Sequence, residues 1–151
     1  MTSQLNVDTI VDKAGTGGAT LSKPTITEMA NTSTYTSDGG NITQNIIQSL
    51  GKSWVNWNGT GTVAVQDSLN HSSLTDNGTG DYTITIASAM SNASYCRTGM
   101  CGMASNSQEA ISQAQQSTVA TTTQGRYVTA YANTSMEDVP YAGVLLHGDL
   151  A

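Results

Sequence analysis

The chain has 151 residues, of which only 37% are hydrophobic and 11% charged, with no phenylalanine and a net charge of −6 at pH 7. Disordered chains share the low hydrophobicity but also carry many Lys, Glu and Pro residues, so this composition favours a polar, β-rich domain over disorder. The five Lys and Arg residues are scattered, which excludes nucleic acid as a partner because phosphate binding needs clustered cations.

Residues 1–40 are predicted to form an extended N-terminal arm. Residues 5–11 alternate with a period close to two, which is typical of a short strand, and 20–28 is a second extended piece interrupted by Pro24. The glycine-rich stretch 15–18 lacks the Gly-Lys-Ser/Thr ending of a phosphate-binding loop, so we predict a plain turn there. The N-terminus lacks the features of a secretory signal, and no run of about 18 apolar residues occurs, so we expect no membrane insertion.

A short helix is predicted from residue 41 to residue 50, at the start of a β-rich head of residues 41–151. Its apolar residues lie at offsets of 0, 4, 5 and 8, which is helical spacing: Ile42, Ile46, Ile47 and Leu50. Asp38 or Asn41 can cap the start of this helix by accepting a backbone N–H bond. Gly51 can end it in the left-handed conformation.

Two Asn-Gly-Thr-Gly units, at 58–61 and 77–80, predict tight turns, since Asn-Gly is the strongest short hairpin signal. Before the first turn, Trp54 and Asn56 alternate with Val55 and Trp57, and we expect both tryptophans to be buried in the core. The polar stretch 67–73 is predicted to be a wide loop.

After the second turn, Tyr82, Ile84 and Ile86 alternate with threonine, which is the pattern of a half-buried strand. Residues 92–124 fit a loop, a short helix or a strand. Further strands are predicted at 126–132 and 141–146. The fold class is therefore mainly β: short antiparallel strands in a compact β-sandwich or jelly-roll-like head, with the extended arm and one short helix.

The candidate catalytic residues do not form a recognisable site. Neither His71 nor His147 belongs to a nucleophile motif. The carboxylate pairs that could cleave glycans are adjacent in sequence or bracket a turn: Glu137 with Asp138, and Asp76 with Asp81. We therefore predict a non-enzymatic protein with no cofactor and no metal site.

The two cysteines, Cys96 and Cys101, lack the further ligands of a zinc site and the spacing of a redox motif. A local disulfide and two free thiols both fit this spacing. Free thiols are favoured because chains in a cytosol start reduced.

The stretch from residue 52 to residue 90 contains the motifs Trp-Val-Asn-Trp-Asn-Gly-Thr-Gly and Asp-Asn-Gly-Thr-Gly-Asp-Tyr-Thr. It resembles a module of fibre and other structural proteins of tailed bacteriophages, particularly marine phages and cyanophages. The segment 6–18 is similar to a motif near the N-terminus of such modules, and the resemblance covers residues 3 to about 92. It implies a virion surface protein that is assembled in the host bacterial cytoplasm.

The resemblance implies a short tail fibre or adhesin that contributes to attachment to the host surface. The alternative is a capsid decoration or head-fibre protein that coats or stabilises the capsid. An enzyme that cleaves host glycans is a third possibility. In the first two cases the N-terminal arm is expected to bind other virion proteins.

So few apolar residues suit a chain that completes its core by packing against copies of itself, and the resemblance likewise implies a homotrimer. We predict that the oligomer core contains four residues near the start of the head: Ile42, Ile46, Leu50 and Trp54. Tyr127 and Tyr131 are the candidate contacts to a host glycan or protein, since aromatic rings can stack on sugars.

Overall fold

The computed structural model describes residues 26, 28–30, 32–36, 43–102, 110–114, 120–131 and 135–151. The chain divides into two units, Met1–Ala30 and Asn31–Ala151. In the first unit, Ile26 and residues 28–30 have no regular secondary structure. The strand predicted at 5–11, the turn at 15–18 and most of the extended piece at 20–28 lie outside the described residues, so the arm of residues 1–40 stays a prediction.

Within the described residues, the second unit contains ten strands and one helical turn. The strands β1 to β10 are, in chain order, Thr34–Thr36, Thr43–Asn45, Ser53–Asn58, Ala64–Leu69, His71–Gly78, Asp81–Ile86, Cys96–Gly102, Ala110–Ala114, Gln124–Tyr131 and Tyr141–His147. The helical turn, α1, spans Ile46–Ser49 between β2 and β3.

Eight of these strands form two four-stranded sheets. The first sheet has the order β4-β3-β10-β7, and the second has the order β5-β6-β9-β8. Neighbouring strands are antiparallel in both sheets, and β1 pairs with β2 separately. One hydrophobic core contains residues of both sheets, so the predicted mainly β fold and β-sandwich are confirmed.

The core forms where strands bury one face with a period of two. Val55 and Trp57 on β3 are 1% and 0% exposed, as the alternating sequence predicts. Tyr82, Ile84 and Ile86 on β6 are likewise buried. The rings of Trp57 and Tyr82 meet edge to face with centroids 5.4 Å apart, a favourable arrangement that joins the first sheet to the second.

Both Asn-Gly turns connect antiparallel strands, as predicted. The first is a five-residue loop at 59–63 between β3 and β4, in which the Asn58 Oδ1 atom accepts a 2.9 Å hydrogen bond from the Thr60 N–H. The second joins β5 to β6 through Thr79 and Gly80. Gly80 has a φ of 65°, which suits glycine at this turn.

The helix predicted at 41–50 is wrong in its start and length. Residues 43–45 form β2, and only Ile46–Ser49 are helical. Asn45, rather than Asp38 or Asn41, caps the turn by accepting a 2.9 Å hydrogen bond from the Gln48 N–H. The turn ends at Leu50 in an extended conformation, and Gly51 is not left-handed. Pairing of β2 with β1 outweighs the helical spacing of the isoleucines.

The wide loop predicted at 67–73 is also wrong. β4 continues to Leu69 and β5 begins at His71, so a single residue, Asn70, lies between these two strands of different sheets. Asn70 has a φ of 51°, a conformation that asparagine tolerates better than most residues. Both of these edge strands expose polar side chains, so their sequence resembles that of a loop.

Candidate functional site

The outer side of the first sheet carries large exposed apolar side chains. Met100 is 80% exposed, Tyr141 58%, Leu69 49% and Leu145 39%. On β10, Tyr141 and Leu145 alternate with the buried residues Ala142, Val144 and Leu146, so they point away from the core. The strand register places Leu69 and Met100 on the same side of the sheet. Together with the half-buried Trp54 they form what we term the apolar face. Exposed apolar patches of this kind mark interaction surfaces in soluble proteins.

The strand register brings these residues together. Trp54 lies between Leu69 on β4 and Leu145 on β10. One row further along the sheet, Gly143 lies between Asn56 on β3 and Met100 on β7. Tyr141 and Leu145 flank Gly143 along β10.

Gly143 is the floor of an open groove of about 580 Å³, which we term the Gly143 hollow. Trp54, Met100, Tyr141 and Leu145 are among the residues that line it. A Cβ atom added at Gly143 would meet only the Val55 carbonyl oxygen, at 3.6 Å, which is ordinary contact. The backbone at residue 143 is therefore bare because glycine has no side chain, although the fold would accept one there.

The apolar face carries little charge. Among the described residues of its strands, the acidic side chain on this side is Asp67 on the edge strand β4, opposite Asn56, and His147 lies on the same side at the end of β10. The outer side of the second sheet is different: Asn77 donates to Thr83, and Gln124 donates to Thr85. Among the described side chains, the outer side of the first sheet is thus largely apolar, whereas the outer side of β5, β6 and β9 in the second sheet is polar.

The polar surface contains an ion pair between Asp81 and Arg126. The Arg126 Nε and Nη2 atoms donate to the two carboxylate oxygens at 2.7 and 2.5 Å. This bidentate hydrogen bonding holds the pKa of Asp81 below its ordinary value of 3.8 despite the opposing effect of burial. Asp81 is only 8% exposed, so it belongs to a structural ion pair and is not a solvated acid in a turn.

Acid should therefore weaken the fold through Asp81. A group with a lowered folded-state pKa stabilises the protein above its unfolded pKa, and that contribution is lost as the pH falls through the folded value. We expect the stability advantage of the wild type over Asp81→Asn to shrink between about pH 5 and pH 2, measured by urea unfolding. A difference that stays constant with pH would contradict this role.

Two other candidate catalytic acids, Asp138 and Asp76, are also held by structural hydrogen bonds. The Asp138 Oδ1 atom accepts bonds from the Tyr82 hydroxyl at 2.8 Å and from the Gly80 N–H at 2.7 Å. Burial, followed by this bond to Asp138, raises the pKa of Tyr82. The Asp76 Oδ1 atom accepts from the Gly78 N–H at 2.9 Å, within the hairpin turn. These carboxylates thus anchor the turn between β5 and β6.

His71 and His147 lie on β5 and β10, respectively. The described residues contain no group of three or more His, Cys, Asp or Glu side chains that could hold a metal ion. Among the same residues, no helix is long and apolar enough to cross a membrane.

The residues predicted for the oligomer core lie in different positions. Ile42 is outside the described residues, Ile46 is half-buried on α1, and Leu50 is 53% exposed. Trp54 is not in the core of its own subunit, as we had expected of both tryptophans, but on the apolar face. Leu50 lines a neighbouring groove of about 880 Å³ that also includes Leu69, the cross-strand neighbour of Trp54.

The prediction of a receptor contact at Tyr127 is wrong. Tyr127 is 2% exposed and belongs to the core. On β9 it is the cross-strand neighbour of the buried Tyr82 on β6, so both side chains point toward the first sheet. Burial also raises the pKa of its hydroxyl. Tyr131, at the end of β9, is half-buried, and its contact with a receptor stays a prediction.

Sequence reasoning missed Met100, the most exposed residue of the apolar face. It lies on β7, in the segment whose structure the sequence left open. The weak signal there was alternation of Cys96, Thr98 and Met100, which the glycines at 99 and 102 obscured.

The two cysteines are free and lie on one strand, β7. Five residue steps along an extended strand separate them by about 16 Å, too far for a disulfide within the subunit. The prediction of free thiols is therefore confirmed.

The two thiols should react at different rates. Cys96 is exposed, whereas Cys101 is half-buried, and burial raises the pKa of its thiol. Since the thiolate is the reactive form, we expect iodoacetamide to label Cys96 at least about tenfold faster in the native protein. Peptide mass spectrometry over time would measure this, with unfolded protein as the control in which the rates converge. Equal native rates would contradict the burial of Cys101.

Comparisons with known proteins leave the chain without an assigned family: no protein-family model, curated protein sequence or solved structure matches it.

Proposed function

We propose that the protein is a non-enzymatic structural subunit of a tailed-bacteriophage virion, a short tail fibre or adhesin that assembles as a homotrimer and contributes to host attachment. The observation that carries the proposal is the apolar face on a sandwich whose opposite surface is polar. A subunit built for assembly needs such a face, because burying apolar area drives association. The phage-like motifs of residues 52–90 supply the virion context.

Assembly would also explain how a weak receptor site becomes useful. Three copies held together present three identical contacts to the host surface. Binding of the second and third contacts is then intramolecular, so overall attachment exceeds the affinity of each site. In this proposal the N-terminal arm joins the trimer to other virion proteins, and host glycan or protein binds at the exposed end of the head.

Image reconstruction of purified virus particles that contain the protein would test its place and copy number. The proposal expects trimers at the tail, and it expects purified protein to bind host cells and reduce phage adsorption. Hundreds of copies on the head, with loss of capsid stability on deletion, would instead establish the alternative of a capsid decoration protein. Release of oligosaccharides from host envelope by the purified protein would overturn the non-enzymatic role.

A further inference from the structure

We propose that a second copy of this chain covers the apolar face, with Met100 of one copy seated in the Gly143 hollow of the other. This proposal rests on the self-assembly proposed above and names its contact residues. It requires three things of the face: a cavity that can hold a side chain, a side chain to occupy it, and little charge to oppose the approach.

The Gly143 hollow is the cavity that would hold the side chain. Its floor is bare backbone, and its walls are side chains of three neighbouring strands: Trp54, Met100, Tyr141 and Leu145. A cavity ringed in this way by larger side chains is the hole of a knob-into-hole contact. Its volume of about 580 Å³ is ample for one unbranched apolar side chain and part of the strand that carries it.

Met100 supplies the knob. It is the most exposed of the large hydrophobic residues on the described strands, at 80%, and it lies on the edge strand β7. A methionine side chain is flexible and polarisable, so it adapts to an irregular cavity and packs well against aromatic rings. Trp54 and Tyr141 are the rings that it would meet in the partner's hollow.

Charge opposes association of two copies least at this face. With a net charge of −6, two copies repel each other across most orientations. The outer side of the second sheet presents the Asp81–Arg126 pair and hydrogen-bonded polar side chains such as Asn77 and Thr83. The apolar face instead opposes a like copy with Asp67 alone among the acidic side chains of its described residues. Self-association therefore meets the least electrostatic and desolvation cost here.

Two substitutions test the contact from its two sides. Gly143→Val puts a branched side chain on the floor of the hollow and narrows it, and the subunit should still fold, because the new Cβ meets one atom at 3.6 Å and φ is not left-handed. Met100→Gln removes the apolar knob but keeps its length. Met136→Gln is the matched control, since Met136 is also exposed, at 45%, but pairs with Ala130 of the second sheet.

Sedimentation velocity and light scattering over about 1 to 100 µM protein would measure association, and circular dichroism would monitor folding of each variant. We expect Gly143→Val and Met100→Gln each to weaken self-association by about tenfold or more, with a folded subunit in both cases. Met136→Gln should associate like the wild type.

The proposal would be overturned by a wild type that stays monomeric across this range, or by folded Gly143→Val and Met100→Gln variants that associate normally. If added oligosaccharides protected Trp54 fluorescence from a dissolved quencher, and the protein did not self-associate, the apolar face would be assigned to a glycan instead. The result for self-association can be distinguished from the result for the proposed function. A chain that associates through this face but is absent from virus particles would overturn the virion role only.

Discussion

Gly80→Ala should destabilise the fold by about 3 kcal/mol or more, or prevent folding altogether. Gly80 has a φ of 65°, where an alanine is strained. A Cβ atom there would also lie 2.4 Å from the Thr129 carbonyl oxygen and 2.6 Å from the Glu137 N atom. Both are backbone atoms, so no side-chain rotation relieves the clash. Urea unfolding followed by circular dichroism would measure the loss.

The backbone around Gly80 cannot move aside because hydrogen bonds hold it on each side. The Thr129 N–H donates to the Gly80 carbonyl at 2.8 Å, and the Gly80 N–H donates to Asp138 at 2.7 Å. The Glu137 N–H in turn donates to the Thr129 carbonyl at 3.0 Å. These hydrogen bonds around Gly80 thus link the turn to β9 and to the segment before β10.

Gly61→Ala is the matched control for this prediction. Gly61 has nearly the same φ, 67°, but an added Cβ would meet nothing within 4 Å. The control should therefore lose only the cost of the left-handed conformation, about 1 kcal/mol. If the two substitutions cost the same, the crowding at Gly80 does not determine its stability.

Trp57→Ala should cost about 3–5 kcal/mol of unfolding free energy, which is the usual range for removing a large buried aromatic side chain. Trp57 is 0% exposed and packs against Tyr82 across the sandwich. Its ring bridges the two sheets, so the cavity left by alanine cannot be closed by movement of one sheet alone. Denaturant unfolding of the variant, with Trp54 as the remaining fluorophore, would measure the loss.

Trp54→Ala provides the comparison, because it removes the same side chain from three residues away. Trp54 is half-buried on the apolar face and outside the core. Measured on dissociated protein, the substitution should cost less than about half as much stability as Trp57→Ala. Similar losses for the two variants would mean that Trp54 supports the subunit itself rather than the apolar face.

The parts of the fold that the sequence predicts are those that bury one side only. β3 and β6 alternate between buried residues and half-buried or exposed ones, so their period of two is visible in the sequence. The two Asn-Gly turns are visible because glycine is needed there for backbone reasons. These features do not depend on which strands become neighbours.

The remaining elements depend on their neighbours in three dimensions. β9 lies between β6 and β8 and buries Tyr127, Val128, Thr129 and Ala130 in succession, so alternation could not separate a core tyrosine from a surface one. The predicted helix was wrong because pairing with β1 is not encoded in the spacing of isoleucines. The apolar face joins residues of β3, β4, β7 and β10, and only the strand order brings them to one surface.

Asn70 gives the sandwich an unusual mechanical property. It is the entire link between β4 and β5, and its side-chain amide donates to the Lys52 carbonyl before β3 and to the Ser88 carbonyl after β6, both at 3.1 Å. Its amide oxygen accepts from the Ser88 N–H at 2.6 Å. Because one residue joins the two strands and its side chain is hydrogen-bonded to the segments on both sides, a pulling force on β4 is transmitted directly to β5. We therefore expect the two sheets to separate in one step under tension rather than one strand at a time.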